Sequence, residues 1–293
     1  MLEPKRTTVK ATLSLQQLKS GLKKRFDSFK NVTIRSELSE TIINGRLPEE
    51  IENPTEIQSL LGDKKLAFPW MRAIFRYDGE RCYYQLVHPS YHDPDDVKLT
   101  ETIEEAWNGK HGTRLENIDR TALIVGYKTC GVQRNPLLEH VYWPGAKIDL
   151  KDQDNLYLPE SIHDSQTQVR QFCETVSGVC CHVIEVPGLD EIWIDVDRNF
   201  AVVMRRRRFR SDGPMRVVAS NRDWQEVCPA VWLPRSSKTD YYCGPDRPPT
   251  MQNTVSTSVS IESEFSSTPL TTEDFTISFP ENTLVYDETK VAE

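Results

Sequence analysis

The densest run of groups able to hold a metal is His88, His92, Asp93, Asp95 and Asp96. Two imidazoles and three carboxylates suit zinc or another divalent ion. A His-x-x-x-His pair converges on one ion only within a helix, however, and Pro89 and Pro94 forbid a regular one. No metal and no cofactor are therefore expected. Asp195, Asp197 and Arg198 form an acid/base set on paper. Their place at the end of a strand-length run suits a turn, where Asp and Asn serve backbone geometry. None of the motifs G-x-S-x-G, H-E-x-x-H, P-loop or G-x-G-x-x-G occurs, and no catalytic residue is assigned.

Two further groups of residues suit binding rather than catalysis. Arg205, Arg206, Arg207 and Arg208, followed by Arg210, are the strongest local charge. On a strand they alternate, two to each face, and can meet phosphate headgroups, nucleic acid or an acidic partner. A solvated strand end is the simpler account of them. The aromatics Trp70, Trp107, Trp143, Trp193 and Trp232, with Trp224, are spread over several proposed hairpins. In a half-open barrel they would line a cavity that takes acyl chains, a ligand that needs apolar area rather than reactive groups. Singly, each is ordinary core. Seven cysteines with no C-x-x-C support neither a zinc ribbon nor a redox motif, and they read as buried or scattered thiols.

The elements that must position these residues are mostly strands. His182 to Val186, Glu191 to Asp195, Phe200 to Phe209, Met215 to Val227 and Val231 to Tyr242 are rich in Val, Ile, Trp and Tyr. Turn residues separate them, which is the pattern of an antiparallel meander. Ser14 to Phe29 predicts a helix with Leu15, Leu18, Leu22, Phe26 and Phe29 on one stripe and a Ser14–Gln17 capping box. Val32 to Ile42 alternates as a half-wet strand. Trp70 to Tyr77 and Arg81 to Val87 flank Asp78-Gly79; Thr102 to Trp107 and Lys110 to Leu115 flank Asn108-Gly109. Both predict hairpins. Thr121 to Tyr127 and Pro136 to Tyr142 read as short helices, and Asp164 to Cys173 as a third. Val255, Val259, Ile261 and Phe265 predict a last strand with a wet opposite face, after which Phe275, Ile277 and Phe279 alternate up to Pro280.

Four stretches carry a family resemblance. Glu191 to Val203, E-I-W-I-D-V-D-R-N-F-A-V-V, resembles a hairpin of bacterial proteins similar to the LolA/LolB lipoprotein-sorting family. Asp223 to Pro234, D-W-Q-E-V-C-P-A-V-W-L-P, resembles the family's next strand pair, with Cys228 to Val231 departing from its usual turn. Asp274 to Glu288 resembles a Phe-Pro tail of uncharacterised members, with Glu281-Asn282 where Pro-Gly is expected. Ala106 to Thr113 resembles a further hairpin of the same family. The resemblance implies an α+β fold: a curved antiparallel sheet forming an unclosed half β-barrel, with helices covering its concave face. It implies one such domain over residues 1–266, and residues 267–293 as an extension. It also implies a non-enzymatic carrier of a lipid or lipoprotein acyl moiety at the cell envelope, with an envelope protein as a possible partner. A structural or interaction module with a filled cavity is the alternative, and a metal-dependent enzyme using the His88 to Asp96 cluster is the more distant one.

Composition sets wider bounds. The 293 residues are 38% hydrophobic, enough for a substantial core. A net charge of −8 argues against nucleic acid as a bulk partner. No run of 18 apolar residues occurs, so at most a peripheral membrane contact and a monomer are expected. The resemblance implies the periplasm. The start, Met1 to Arg6, has no apolar h-region, which keeps a cytoplasmic placement open.

Overall fold

The computed structural model describes residues 4–28, 31–44, 66–89, 100–108, 112–118, 123–129, 166–208, 211–242 and 256–287. In chain order, β1 is Lys5–Lys10, α1 Leu15–Asp27, β2 Val32–Asn44, β3 Leu66–Tyr77, β4 Cys82–Pro89 and β5 Thr100–Trp107. Next come β6 Gly112–Ile118, β7 Leu123–Thr129, β8 Gln168–Val169, β9 Phe172–Val176, β10 Val179–Val186 and β11 Asp190–Asp195. The last are β12 Ala201–Arg208, β13 Met215–Cys228, β14 Val231–Tyr241, β15 Ser256–Ser266 and β16 Leu284–Asp287. The protein is thus mostly antiparallel sheet, with one α-helix among the described residues. That helix is too short to cross a membrane. The chain divides into two compact units. The first is Met1–Ser28, Ile42–Ile51 and Leu137–Ser260; the second is Phe29–Thr41, Glu52–Pro136 and Ile261–Glu293.

In the first unit the strands run β1-β9-β10-β11-β12-β13-β14, with β8 also on β10, and the order does not return to β1. The meander expected from the sequence is present, with each neighbouring pair antiparallel. Helix α1 starts where its capping box predicts. Ser14 N–H donates to Gln17 Oε1 at 2.8 Å and Gln17 N–H donates to Ser14 Oγ at 3.3 Å. Leu18 and Leu22 are buried against Ile184, Ile192 and Ile194. Each leucine contributes roughly 1.5–3 kcal/mol by leaving water. Buried Arg25 adds polar ties, donating to the carbonyls of Arg198, Asn199 and Trp232.

The β11–β12 turn shows why that helix face must carry a glycine. Asn199 and Phe200 take φ of 52° and 60°, a left-handed pair that is unfavourable for a phenylalanine. Packing holds it there: the Phe200 ring lies over Gly21, where an added Cβ would come within 2.2 Å of a ring carbon. The β9–β10 turn uses Ser177 and Gly178, at φ 52° and 81°, as a two-residue connection between paired Val176 and Val179.

In the second unit the order is β15-β2-β3-β4-β5-β6-β7-β16, again without closure. All pairings given from β2 to β7 are antiparallel, and β16 joins β7 in parallel. Asp78 builds the β3–β4 turn, accepting from Glu80 N–H at 3.0 Å and Arg81 N–H at 2.7 Å. Burial opposes the Asp78 charge, but these N–H groups and the Arg81 guanidinium outweigh it and hold the carboxyl below its ordinary value. The tail packs Phe275 on Tyr83 and Ala106, with Leu270 and Ile277 beside it. Arg81 stacks 4.6 Å from the Phe275 ring centroid.

Several sequence expectations are corrected. Thr121 to Tyr127 is not helical: Leu123–Thr129 is β7, because its Leu-Ile-Val start pairs along the whole of β6. Asp164 to Cys173 is not helical where described: Gln168–Val169 and Phe172–Val176 each pair with β10. Pro136 to Tyr142 lies outside the described residues. The expected cover of several helices is not shown: α1 is the one α-helix among the described residues, and it packs on β10 and β11. In β15, Ile261 and Ser263 face inward as expected, but Ser258, placed on the wet side by alternation, is buried. Phe275 closes a 3-10 turn, Glu273–Phe275, and the paired strand of the tail begins only at Leu284.

Gly21→Ala is expected to destabilise the protein by about 1–3 kcal/mol, because ring and helix cannot both stay in place. In a double-mutant cycle with Phe200→Ala, read by urea unfolding, the two changes are expected to couple strongly. Simple additivity would show that the ring does not rest on the glycine.

Candidate functional site

Two surfaces stand out, one in each unit. In the first unit, β8, β9 and β10 bring Gln168, Arg170, Phe172, Glu174 and Glu185 round a cavity of about 550 Å³, with Arg6 of β1 at its rim. Strand alternation puts these side chains on one face. Arg170 is the hub. It meets Glu174 at 2.8 Å and also pairs with Glu185 and Glu191. Burial alone would lower the Arg170 pKa. The hydrogen bonds to Glu191 and Glu185, and the charges of Glu191 and Glu174, raise it instead. A guanidinium held by three carboxylates has little left for a phosphate. The cavity is therefore a balanced ionic corner rather than an anion site.

Trp193 closes the inner side of that corner. It is 1% exposed, its indole N–H donates to Glu174 Oε2 at 2.9 Å, and Arg170 and Arg206 lie 5.9 and 5.5 Å from its ring centroid. It belongs to a core with Cys181, Val183, Met204 and Val218, against which half-buried Trp224 packs. Trp232 is half-buried with Arg198 at 5.8 Å.

In the second unit the sheet has one dry face. Val32, Ile34, Ser36 and Leu38 of β2, Ala73 and Phe75 of β3, and Cys82, Tyr84 and His88 of β4 are all buried along it. Registers Ile34↔Phe75 and Phe75↔Tyr84 set them side by side. Ser36 and Ser263 satisfy each other's hydroxyls at 2.8 Å. Burial pushes the Cys82 thiol up to about 12. Arg35, Glu37 and Arg72 are exposed on the other face. Trp107 belongs by alternation to the dry face and Trp70, beside Arg72, to the wet one, so the structure does not bring these two together. Trp143 lies outside the described residues.

The arginine run is largely engaged. Arg205 is buried and ion-paired with Asp190, with one N–H···O contact at 2.9 Å. Arg206 lies over Trp193, Arg207 is half-buried, and Arg208 donates to Gly213 O at 2.9 Å. Arg210 lies outside the described residues. Asp195 is buried and serves the turn, accepting from the Asp197 and Arg198 N–H groups at 3.0 and 3.3 Å and pairing with the Arg198 side chain. Of the proposed metal run only His88 is described. The helical reading of Asp164 to Cys173 hides the Arg170 corner, because it separates Gln168, Arg170 and Phe172 from the strands that carry Glu185 and Glu191. The period-two run of Gln168, Arg170, Phe172 and Glu174 was its available signal.

No family model matches the chain, and no curated protein matches it. Solved structures similar to it include a DUF1329 family protein from Desulfovibrio piger. That one has a TM-score of 0.47 and 10% identity, covering 89% of this chain and 97% of the other. A second is a putative outer membrane lipoprotein-sorting protein domain from Vibrio parahaemolyticus, with TM-score 0.47 and 11% identity over 89% and 95%. A third is a LolA superfamily protein from Nitrosomonas europaea, with TM-score 0.42 and 8% identity over 91% and 99%.

Arg170→Met leaves Glu174, Glu185 and Glu191 together without their shared counter-charge. A loss of about 1–3 kcal/mol is expected by urea unfolding, discounted for partial exposure. Adding Glu185→Gln is expected to recover part of it. A wild-type midpoint for Arg170→Met would show that the corner is solvent-relaxed.

Proposed function

We propose that the protein is a non-enzymatic carrier of a lipid, or of the acyl part of a lipoprotein, at the cell envelope. The observation that carries this reading is the apolar face of β2 to β4 in the second unit, where Val32, Ile34, Ala73, Phe75 and Tyr84 lie side by side; all are buried in the ligand-free protein, so an acyl chain would enter by displacing their present cover. Such a surface suits acyl chains, since each buried CH₂ contributes about 0.8 kcal/mol and no reactive group is needed. The resemblance supports it too: Glu191 to Val203 and Asp223 to Pro234 form the strand pairs that the family motifs imply.

In this reading the fold is a half β-barrel over residues 1–266, with 267–293 as an extension. The protein works as a monomer in the periplasm, peripheral to the membrane, with Trp107 among the residues that line the ligand's path. A second reading, an interaction module with a filled interior, is favoured by one specific observation. Trp193, one of the expected lining residues, is fully packed and hydrogen-bonded.

The test is gentle native mass spectrometry of the protein purified from cells, followed by lipid extraction of the same sample. The carrier reading expects an acyl lipid at near one per chain, or uptake of added fatty acid or phospholipid to that level. A clean apo mass with no uptake would leave the interaction module as the standing account.

A further inference from the structure

The β9–β10 hairpin places two thiols and an imidazole on one face. Registers Cys180↔Thr175 and Cys181↔Glu174 alternate side chains, so Cys173, Cys180 and His182 share a side and Cys181 takes the other. Continuing that register sets Cys173 opposite His182, and Cys173 Sγ lies 4.0 Å from His182 Nδ1. Cys180 is the diagonal cross-strand neighbour of Cys173 on that face. Cys173 is 1% exposed whereas Cys180 is exposed, so the pair has a buried anchor and an open mouth.

The imidazole is already oriented. Thr12 N–H donates to His182 Nε2 at 3.3 Å, so in the neutral ring the proton sits on Nδ1 and points at the Cys173 sulfur. His182 is therefore a donor to the sulfur rather than a ligand. This agrees with the absence, among the described residues, of any group of three or more His, Cys, Asp or Glu arranged to hold a metal. A four-coordinate zinc site is not on offer. A disulfide also fits poorly. The cysteines are diagonal neighbours, with Cα atoms about 7–8 Å apart for such a pair, beyond the roughly 4.4–6.8 Å that a disulfide spans.

We propose that Cys173 and Cys180 form a two-thiolate site for a soft monovalent cation of the Cu(I) type, with the His182 Nδ1–H group holding the Cys173 sulfur in place. Soft thiolates select such ions. Two metal–sulfur bonds in series bridge a gap that a single S–S bond of about 2.0 Å leaves open. On binding, two S–H bonds break, two sulfur–metal bonds form and two protons pass to solvent; no electron is transferred.

The experiment uses the full chain, reduced and anaerobic, with Cu(I) supplied from its complex with the coloured chelator bicinchoninate. Cys130, Cys228 and Cys243 are first replaced by serine, so that they cannot compete. One equivalent of Cu(I) per chain is expected to leave the chelator. Cys180→Ser is expected to abolish this and Cys181→Ser to leave it intact. His182→Phe is expected to weaken binding about 10–100-fold, as loss of a supporting contact does. If the triple-serine chain fails to fold, Cys180→Ser in the natural chain must cost one equivalent. No transfer from the chelator, or undiminished transfer to Cys180→Ser, would overturn the proposal.

Discussion

The first unit's sheet is dry on both faces along β11, and that constraint governs how its charges are handled. Ile192, Trp193, Ile194 and Asp195 are buried in succession, which an alternating half-wet strand never shows. A charge in such a place must find a partner or cost several kcal/mol. Asp195 takes two backbone N–H groups and Arg198. Arg205 takes Asp190, and Arg170 takes three glutamates. Arg25, on the helix, takes backbone carbonyls of the sheet it covers. The arginine strand and the acidic turn, which look like functional groups in isolation, are therefore required by the fold itself.

The same constraint explains why the strained turn at Phe200 is tolerated. Left-handed backbone at a phenylalanine costs on the order of 1–3 kcal/mol. Burying its ring against α1 is of comparable size. Gly21 gives the ring room without opening a gap beside Leu18 and Leu22. Helix, turn and sheet thus specify one another, and the helix stays put although its outer face is rich in lysine.

What was legible in the sequence follows from the range of the interactions. The meander from Val179 onward was readable because its turns are marked locally by Gly178, Asn199, Asp212 and Pro229. The α1 boundary was readable because its capping box is four residues long. The helical readings of Thr121 to Tyr127 and Asp164 to Cys173 fail where the residues are described, because partners on β6 and β10 decide their state and nothing within either segment excludes a helix. The candidate residues divide in the same way. Individual tryptophans were visible, but which of them share a face depends on registers such as Cys82↔Trp107 that no local pattern encodes. The Arg170 corner is half legible: the alternation of Gln168, Arg170, Phe172 and Glu174 is local, whereas the meeting of Arg170 with Glu185 and Glu191 depends on the pairing of β10 and β11.

The two units solve the burial problem differently, and the difference bears on function. The first packs α1 onto one face and ties its charges internally, so its interior is spoken for. The second keeps its faces distinct: Val32, Ile34 and Phe75 lie on the dry side, and Arg35, Glu37 and Arg72 on the wet side. Its tail settles on the wet side, where Phe275 covers Tyr83 and Ala106, and Asp274 pairs with Arg76 at 3.7 Å. That contact is charge-assisted and local, as an element laid onto a polar surface must be. The tail therefore seals a small apolar gap on the wet face without occupying the dry one. Val32, Ile34 and Phe75 are each at most 2% exposed, so the dry side is closed packing while the wet side keeps its charges in water.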